Sequence, residues 1–323
     1  MAKVIKGTNG NDRINQNGRF DLEIYGLGGN DTIVLDRDDD LGGDNFVDAG
    51  KGNDTVFNAF EGGNRILLGK GNDIYVGTGF STLGQRDGVD GGAGSDQFFV
   101  KTLFSAYAGG AGKDAFFSDG WENAFHGGAG QDTVSYQFRH EDSVIGDEGV
   151  IIDLAFGATQ TGAARRETLI SIENAVGSEN ADIIGGTDSN NVLVGLGDGD
   201  EIHGFGGDDA IFGGRGADVM SGGTGQDSFI FENINESLPG AGDEILDFNR
   251  AEGDLIDLSQ IDAVGGRGNQ AFTFMGIASF TGAAGELRFA GGTLSADVNG
   301  DRQADFSVKV DGLTSMLATD FIL

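Results

Sequence analysis

The sequence predicts an all-β protein: a right-handed parallel β-roll in two blocks, followed by a C-terminal β-sandwich-like domain. Three observations predict it. Gly177 to Ile230 divides without a gap into six units of nine: GSENADIIG, GTDSNNVLV, GLGDGDEIH, GFGGDDAIF, GGRGADVMS and GGTGQDSFI. The sixth position holds Asp182, Asn191, Asp200, Asp209, Asp218 and Asp227, and the eighth holds Ile184, Leu193, Ile202, Ile211, Met220 and Phe229. The chain has 60 Gly against one Pro and no Cys, and the glycine is periodic, whereas an aperiodic excess would signal disorder.

Each residue type in the nine has a physical task. Six loop residues must reverse the chain, and glycine takes positive φ without steric cost. With no side chains there, several carbonyls can face one point, and the Asp at position six adds carboxylate oxygens. Such an all-oxygen set suits a hard cation with six to eight ligands, Ca²⁺ rather than Zn²⁺. The last three residues form a short strand with its middle side chain inward. Two nines make one full turn, so loops on one edge lie 18 residues apart. The expected ion-sharing pairs are Asp182/Asp200, Asn191/Asp209, Asp200/Asp218 and Asp209/Asp227. These units resemble the RTX (hemolysin-type) calcium-binding repeat family, with its GGxGxDxUx pattern.

Residues 1–135 predict a second, more degenerate roll. Its loops are GTNGND ending at Asp12, GLGGND at Asp31, AGKGND at Asp54, LGKGND at Asp73, GGAGSD at Asp96, GGAGKD at Asp114 and GGAGQD at Asp132. The Asp spacings run 19, 23, 19, 23, 18 and 18, so residues 12–53 and 54–95 align as a 42-residue repeat. That alignment places Ile24 over Ile66, Leu41 over Leu83, Val47 over Val89 and Asp48 over Asp90. One edge then keeps regular metal loops and the other carries irregular ones, at 36–48 and 77–90. These read either as a ligand-binding edge or as drift in a tolerant repeat. Ile33, Val56, Phe57, Tyr75, Phe98, Phe99, Phe116, Phe117, Val134 and Tyr136 supply strand positions, and this broad apolar stripe reads as core. Trp121, beside His126, has two readings, a sugar-stacking platform or ordinary packing.

Residues 136–176 read as a β-strand spacer, with GVIIDL and TLISIENAV as strands and Arg165–Arg166 in the turn between them. That basic pair either clamps a carboxylate ligand or pairs with nearby acids. The regular roll spans 177–231. Residues 232–323 change character: glycine thins and alternating apolar residues appear. DEILDFNRAEGDLIDLS from Asp243, TGAAGELRF from Thr281 and the terminal Asp320-Phe321-Ile322-Leu323 together resemble the C-terminal domain of serralysin metalloproteases. That resemblance implies a β-sandwich continuing the roll, a type I secretion signal that is not cleaved, and a secreted, extracellular protein. Asp297, Asn299, Asp301 and Asp305 have the 1, 3, 5, 9 spacing of an EF-hand-like loop, with Arg302 where such loops prefer Gly. An extra calcium loop and a polar β-turn both fit.

With 52 acids against 20 bases the formal charge is −32. Such a chain repels itself and is a poor partner for nucleic acid. The absence of Cys excludes disulfides and thiolate metal sites. The start, MAKVIKGTNGND, has no Sec-type apolar segment, and no apolar run is long enough for a transmembrane helix. The serralysin resemblance stops short of the protease. HExxH is missing, since His140-Glu141 is followed by Asp142, Ser143 and Val144, and no GxSxG elbow is present. The expected function is a secreted protein that folds on binding several Ca²⁺ ions after type I export. It would be a non-catalytic binding protein, with the secretion apparatus and extracellular polysaccharide or a surface protein as partners. The alternative is an extracellular polysaccharide-acting enzyme (lyase, epimerase or glycanase) with its site on the irregular edge.

Overall fold

The computed structural model describes residues 3–37, 43–60, 62–79, 84–139, 149–161, 166–266 and 268–323. Leu41, Leu83, Arg165, the His140–Val144 segment and parts of both irregular loops lie outside them. The chain forms two compact units, residues 1–146 with 156–174, and residues 147–155 with 175–323.

The first unit is a parallel β-solenoid. Each turn gives one strand to each of two facing sheets, as with Phe46–Lys51 and Thr55–Asn58, or Ala106–Ala111 and Ala115–Ser118. Strand residues alternate in facing, so every second side chain turns inward. Ile24, Val47, Ile66, Val89, Tyr107 and Phe125 stand in one inner column. Ile33, Val56, Tyr75, Phe98, Phe116 and Val134 stand in the facing one. None of these twelve is more than 3% exposed. The 42-residue register is therefore real: Ile24 and Ile66 are two strands apart in one column, as are Val47 and Val89.

The broad apolar stripe is not all core. Phe57, Phe99 and Phe117 alternate with the inner column and so face outward, with Phe57 43% exposed. Phe99 and Phe117 stack face to face at 4.6 Å.

The variation in turn length falls on one edge. From first-sheet to second-sheet strand the inner-column residues are nine apart, as from Ile24 to Ile33, Val47 to Val56 or Tyr107 to Phe116, and from Phe46 onward the connection is three residues, as from Lys51 to Thr55. The return connection varies, from ten residues between Leu35 and Phe46 to five between Val100 and Ala106. The constant edge carries the regular Asp loops. A fixed geometry there tolerates no insertion, and the opposite edge absorbs them all.

In the second unit Ile152, Ile184, Ile202, Met220 and Ile245 form one inner column. Ala175, Leu193, Ile211, Phe229 and Ile256 form the other. The C-terminal region extends both sheets. Glu286–Ala290, Thr293–Asp297 and Phe306–Val310 make an antiparallel meander, and the last of these runs parallel to Glu244–Ile245. Phe321–Ile322 runs parallel to Leu255–Asp257. Among the described residues the only helical element is the 3₁₀ turn Ala318–Asp320, and no helix is long and apolar enough to cross a membrane.

Phe116 lies 4.8 Å from Phe98 and 5.2 Å from Phe125, ring to ring. Phe116→Ala should destabilise the first unit by about 3–5 kcal/mol. Urea unfolding in saturating calcium reads this, and a loss below about 1 kcal/mol would contradict the packing described.

Candidate metal centres on the roll edges

The acids of the repeat loops form ladders. In the first unit each Asp donates its backbone N–H to Oδ1 of the Asp one turn on. Asp12 reaches Asp31 at 2.8 Å, Asp31 reaches Asp54 at 2.7 Å and Asp54 reaches Asp73 at 2.7 Å. Asp73, Asp96 and Asp114 continue to Asp96, Asp114 and Asp132, each at 2.8 Å. Asp132 closes the ladder on Glu173 Oε2 at 2.9 Å.

The second unit has a ladder on each edge. One runs from Asp182 to Asp200 (2.7 Å) and Asp218 (2.8 Å) and ends on Asp243 (2.9 Å). The other runs from Asn191 to Asp209 (2.7 Å) and Asp227 (2.9 Å) and ends on Asp254 (3.0 Å). The four pairs expected to share ions are among the six that these bonds join.

The other carboxylate oxygen sets the chemistry. Oδ2 of Asp31, Asp54, Asp73, Asp96, Asp114, Asp132, Asp200, Asp209, Asp218 and Asp227 is buried and accepts no hydrogen bond from the protein. A buried carboxylate oxygen without a partner carries a large desolvation cost. At Asp31, Asp96, Asp132, Asp200 and Asp209 this oxygen faces a backbone carbonyl of the neighbouring turn. At Gly204 a Cβ would sit 2.1 Å from Asp209 Oδ2 and 2.4 Å from the Gly222 carbonyl oxygen. At Gly26 it would sit 2.4 Å from Asp31 Oδ2 and 2.2 Å from the Ala49 carbonyl oxygen. Glycine leaves a space bounded by a carboxylate and a carbonyl from the neighbouring turn. No three His, Cys, Asp or Glu side chains converge among the described residues, so each set is completed by backbone carbonyls. That is a donor set for a hard oxygen-seeking cation, and the orphaned oxygens fit Ca²⁺. When bound, Ca²⁺ supplies the positive charge that such oxygens otherwise lack.

The starts of the ladders differ. Asp12 Oδ2 accepts from Thr8 N–H and Oγ1, Asp182 from Ser178, and the Asn191 amide oxygen from Thr187. A hydroxyl residue at the second loop position thus occupies the acceptor that stays open elsewhere, and it was visible in GTNGND, GSENAD and GTDSNN. Sequence reasoning missed the ladder ends. Asp243, 25 residues after Asp218, has a buried orphan Oδ2, whereas Asp254 Oδ2 accepts from Asn249 N–H. Their spacings break the period of 18, and the one local signal was an Asp immediately before a strand.

The loop 297–305 is closed on itself. Asp297 accepts from Gly300 and Arg302 N–H, Asn299 Oδ1 from Asp301 N–H, and Asp301 Oδ1 from Gln303 N–H. Asp305 accepts from Val298 and Asn299 N–H. Arg302 takes φ +72 where a glycine would be unstrained. Trp121 is half-buried, with backbone bonds to Thr102 and Phe104, and Arg166 is exposed.

The irregular edge of the first unit holds an unforeseen second ladder, nearly free of charge. Leu22, Asn45, Asn64, Asp87 and Ser105 donate backbone N–H to side-chain oxygens of Asn45, Asn64, Asp87, Ser105 and Asn123 in turn, at 2.7–3.1 Å. Glu167 ends it, accepting from Asn123, Ser118 and Tyr136. Both Asp87 oxygens are bonded, to Gly62 and Asn64 N–H and to Asn58 Nδ2.

Burial pushes the Asp200 carboxyl up to about 9, Asp243 to about 8 and Asp209 to about 7. It pushes Asp54, Asp73, Asp96, Asp114, Asp132, Asp218 and Asp227 up to about 6. The backbone N–H on Oδ1 pulls each back in part. Raised values mean that the metal-free fold prefers protonated acids. Their contribution is complete below the unfolded Asp value of about 3.9 and is lost as pH rises through about 6 to 9. Acidifying an EGTA-treated sample from pH 9 to 5 should therefore increase strand content by circular dichroism, and a decrease would contradict these shifts. Calcium needs the ionised form, so its binding near pH 7 should release protons. Asp209→Asn should raise the calcium midpoint of folding several-fold, while Asp12→Asn, whose second oxygen Thr8 already fills, should barely move it. Calcium titration checks the contrast, and equal shifts would contradict it.

Comparison with known proteins follows the same division. Residues 23–41 and 41–60 match the RTX calcium-binding nonapeptide repeat (4 copies). Residues 162–323 match the family described as Peptidase M10 serralysin C terminal. That match begins in the spacer, well before Glu232, so it takes in the regular roll as well as the meander. No protease-domain family matches the chain. No curated protein matches it. The solution structure of the AlgE6R3 subunit from the Azotobacter vinelandii mannuronan C5-epimerase is similar over 44% of this chain and 80% of that one, at 25% identity and a TM-score of 0.30. With a family match over half its length, the chain belongs to the serralysin C-terminal family of peptidase M10 and is a secreted, calcium-binding RTX protein.

Proposed function

We propose that this protein is an extracellular binding protein without catalysis on polysaccharide, which folds on calcium after type I export and then engages polysaccharide or a surface protein. The state of the irregular edge carries this reading. A polysaccharide-acting enzyme with its site there would need accessible carboxylates as acid and base. Asp87 and Glu167, the acids of that ladder, are buried and accept hydrogen bonds from the scaffold, and exposed acids of that edge, such as Asp36, Asp44 and Glu122, lie outside the ladder on the return connections. They brace the turns. The outward Phe57, Phe99 and Phe117, with Phe138 5.6 Å from Phe117, offer contact surface instead.

The C-terminus fits export before folding. Asp320 is buried, and Arg250 grips its carboxylate through Nε at 2.7 Å and Nη2 at 2.6 Å. Burial alone would raise the Asp320 carboxyl, yet the Arg250 guanidinium holds it below the usual value. Leu258 N–H donates to the Ile322 carbonyl. A secretion apparatus that reads the last four residues therefore reads them before this sheet closes.

Incubating calcium-loaded protein with acidic and neutral exopolysaccharides tests the reading. Retention on the polymer or on a cell surface, without new reducing ends or unsaturated uronates, is the expected result. Release of either product overturns it in favour of the enzyme.

A further inference from the structure

A serine, a histidine and a glutamate meet on the outer face of the second unit. Glu201 and His203 lie two residues apart on the strand Glu201–Phe205, both facing away from the core. Ser221 is the register partner of His203 on the next strand, Val219–Ser221. His203 Nδ1 lies 2.7 Å from Ser221 Oγ, and His203 Nε2 lies 2.9 Å from Glu201 Oε1. The carboxylate can only accept. In the neutral ring Nε2 therefore carries the proton and Nδ1 is left to accept from the serine hydroxyl. Serine, imidazole and carboxylate thus stand in hydrogen-bond sequence; the ring is turned relative to the serine-protease triad, where Nε2 faces the serine and Nδ1 the acid, while the three roles are kept.

Three further features bear on this cluster. Phe205 adopts φ +73, where the equivalent Gly214 and Gly223 adopt +96 and +95. A phenylalanine there is strained, and its ring stacks on His203 at 6.1 Å and 26°. Beside Glu201 lies a depression of about 560 Å³, lined by the apolar Ala181, Ile183, Ala217 and Val219, by Gly199, and by the ladder acids Asp182 and Asp200. Val219 is two residues from Ser221 on the same strand and face. The Gly222 and Gly223 N–H groups, next after Ser221, donate to the Asp247 carboxylate at 3.0 and 2.9 Å, so they are not available to an oxyanion.

We propose that Ser221, His203 and Glu201 form a calcium-assembled nucleophilic site that accepts acyl groups from esters of apolar acids. Ser221 Oγ adds to the ester carbonyl as its proton passes to His203 Nδ1. The carbon–alkoxide bond then breaks, and the same proton leaves with the alcohol, giving acyl-Ser221. Water reverses the sequence: His203 takes a water proton, the acyl carbon gains hydroxide, and Ser221 Oγ recovers the proton as the carboxylic acid departs. Glu201 is a positioning residue. Without free oxyanion donors the site gives acylation and slow turnover rather than fast hydrolysis. Its parts come from strands 18 residues apart, so it exists only in the folded roll.

The test uses the full chain in calcium with p-nitrophenyl butyrate and a fluorophosphonate probe, and peptide mapping of the adducts. Selective modification of Ser221 is expected. His203→Ala should slow it at least about 100-fold, the usual scale of a lost general base, and Glu201→Gln should slow it less. All three side chains face solvent, and circular dichroism in calcium verifies that each variant is folded. EGTA should abolish the reaction together with strand content. Ser221 labelling no faster than that of other serines, unchanged by His203→Ala, or persisting in unfolded chain would each overturn the proposal.

Discussion

The structure depends on one interaction: a carboxylate at most turns that gives one oxygen to the backbone and leaves the other buried and unpaired. Oδ1 fixes the rise from turn to turn by accepting the N–H of the residue one turn before, as Asp227 does from Asp209. At Gly26, Gly91, Gly127, Gly195 and Gly204 the absent side chain leaves Oδ2 facing a carbonyl of the neighbouring turn. Stacking such turns in a chain of charge −32 accumulates repulsion that hydrophobic columns two residues wide must otherwise oppose. Calcium bound by the repeats balances it. Extracellular modules bind with Kd near 10⁻⁴ to 10⁻³ M, so each site contributes roughly 0.4–1.4 kcal/mol at about 1 mM. One site decides little, but a stacked array adds its increments along the roll.

The two units use this device differently. In the second, both edges carry acid ladders. In the first, acids occupy the edge of constant spacing, and the other edge is held by Asn45, Asn64, Ser105 and Asn123 with the buried Asp87 and Glu167. A neutral amide oxygen accepts the same backbone N–H without needing a counter-ion. Loops there are free of coordination geometry and vary in length. Irregularity in the sequence thus marks where metal is not required, and need not mark a catalytic groove.

Much of this was legible in the sequence. The apolar eighth position gave the inner column at Ile184, Ile202 and Met220, and the 42-residue register gave Ile24 over Ile66. The acid at the sixth position named the ladder, and its pairing at 18 residues named the partners. Illegible were the features that period alone does not encode. Asp243 and Asp254 stand outside the spacing. Thr8, Ser178 and Thr187 differ from glycine by one residue per loop, yet fill an acceptor. Phe99 and Phe117 look like core until strand alternation assigns Phe98 and Phe116 inward. The Glu201–His203–Ser221 contact joins positions that no motif connects, because adjacency across turns is a property of the roll.

Far-UV circular dichroism of the full chain at neutral pH, followed against free calcium from EGTA to about 1 mM, tests the central claim most directly. A cooperative gain of strand signal from a largely unfolded baseline is the result expected if the buried Oδ2 oxygens must be balanced before the turns can stack. Full strand content in EGTA, unchanged by calcium, would show that the carboxylate ladders stand without a cation and would contradict it.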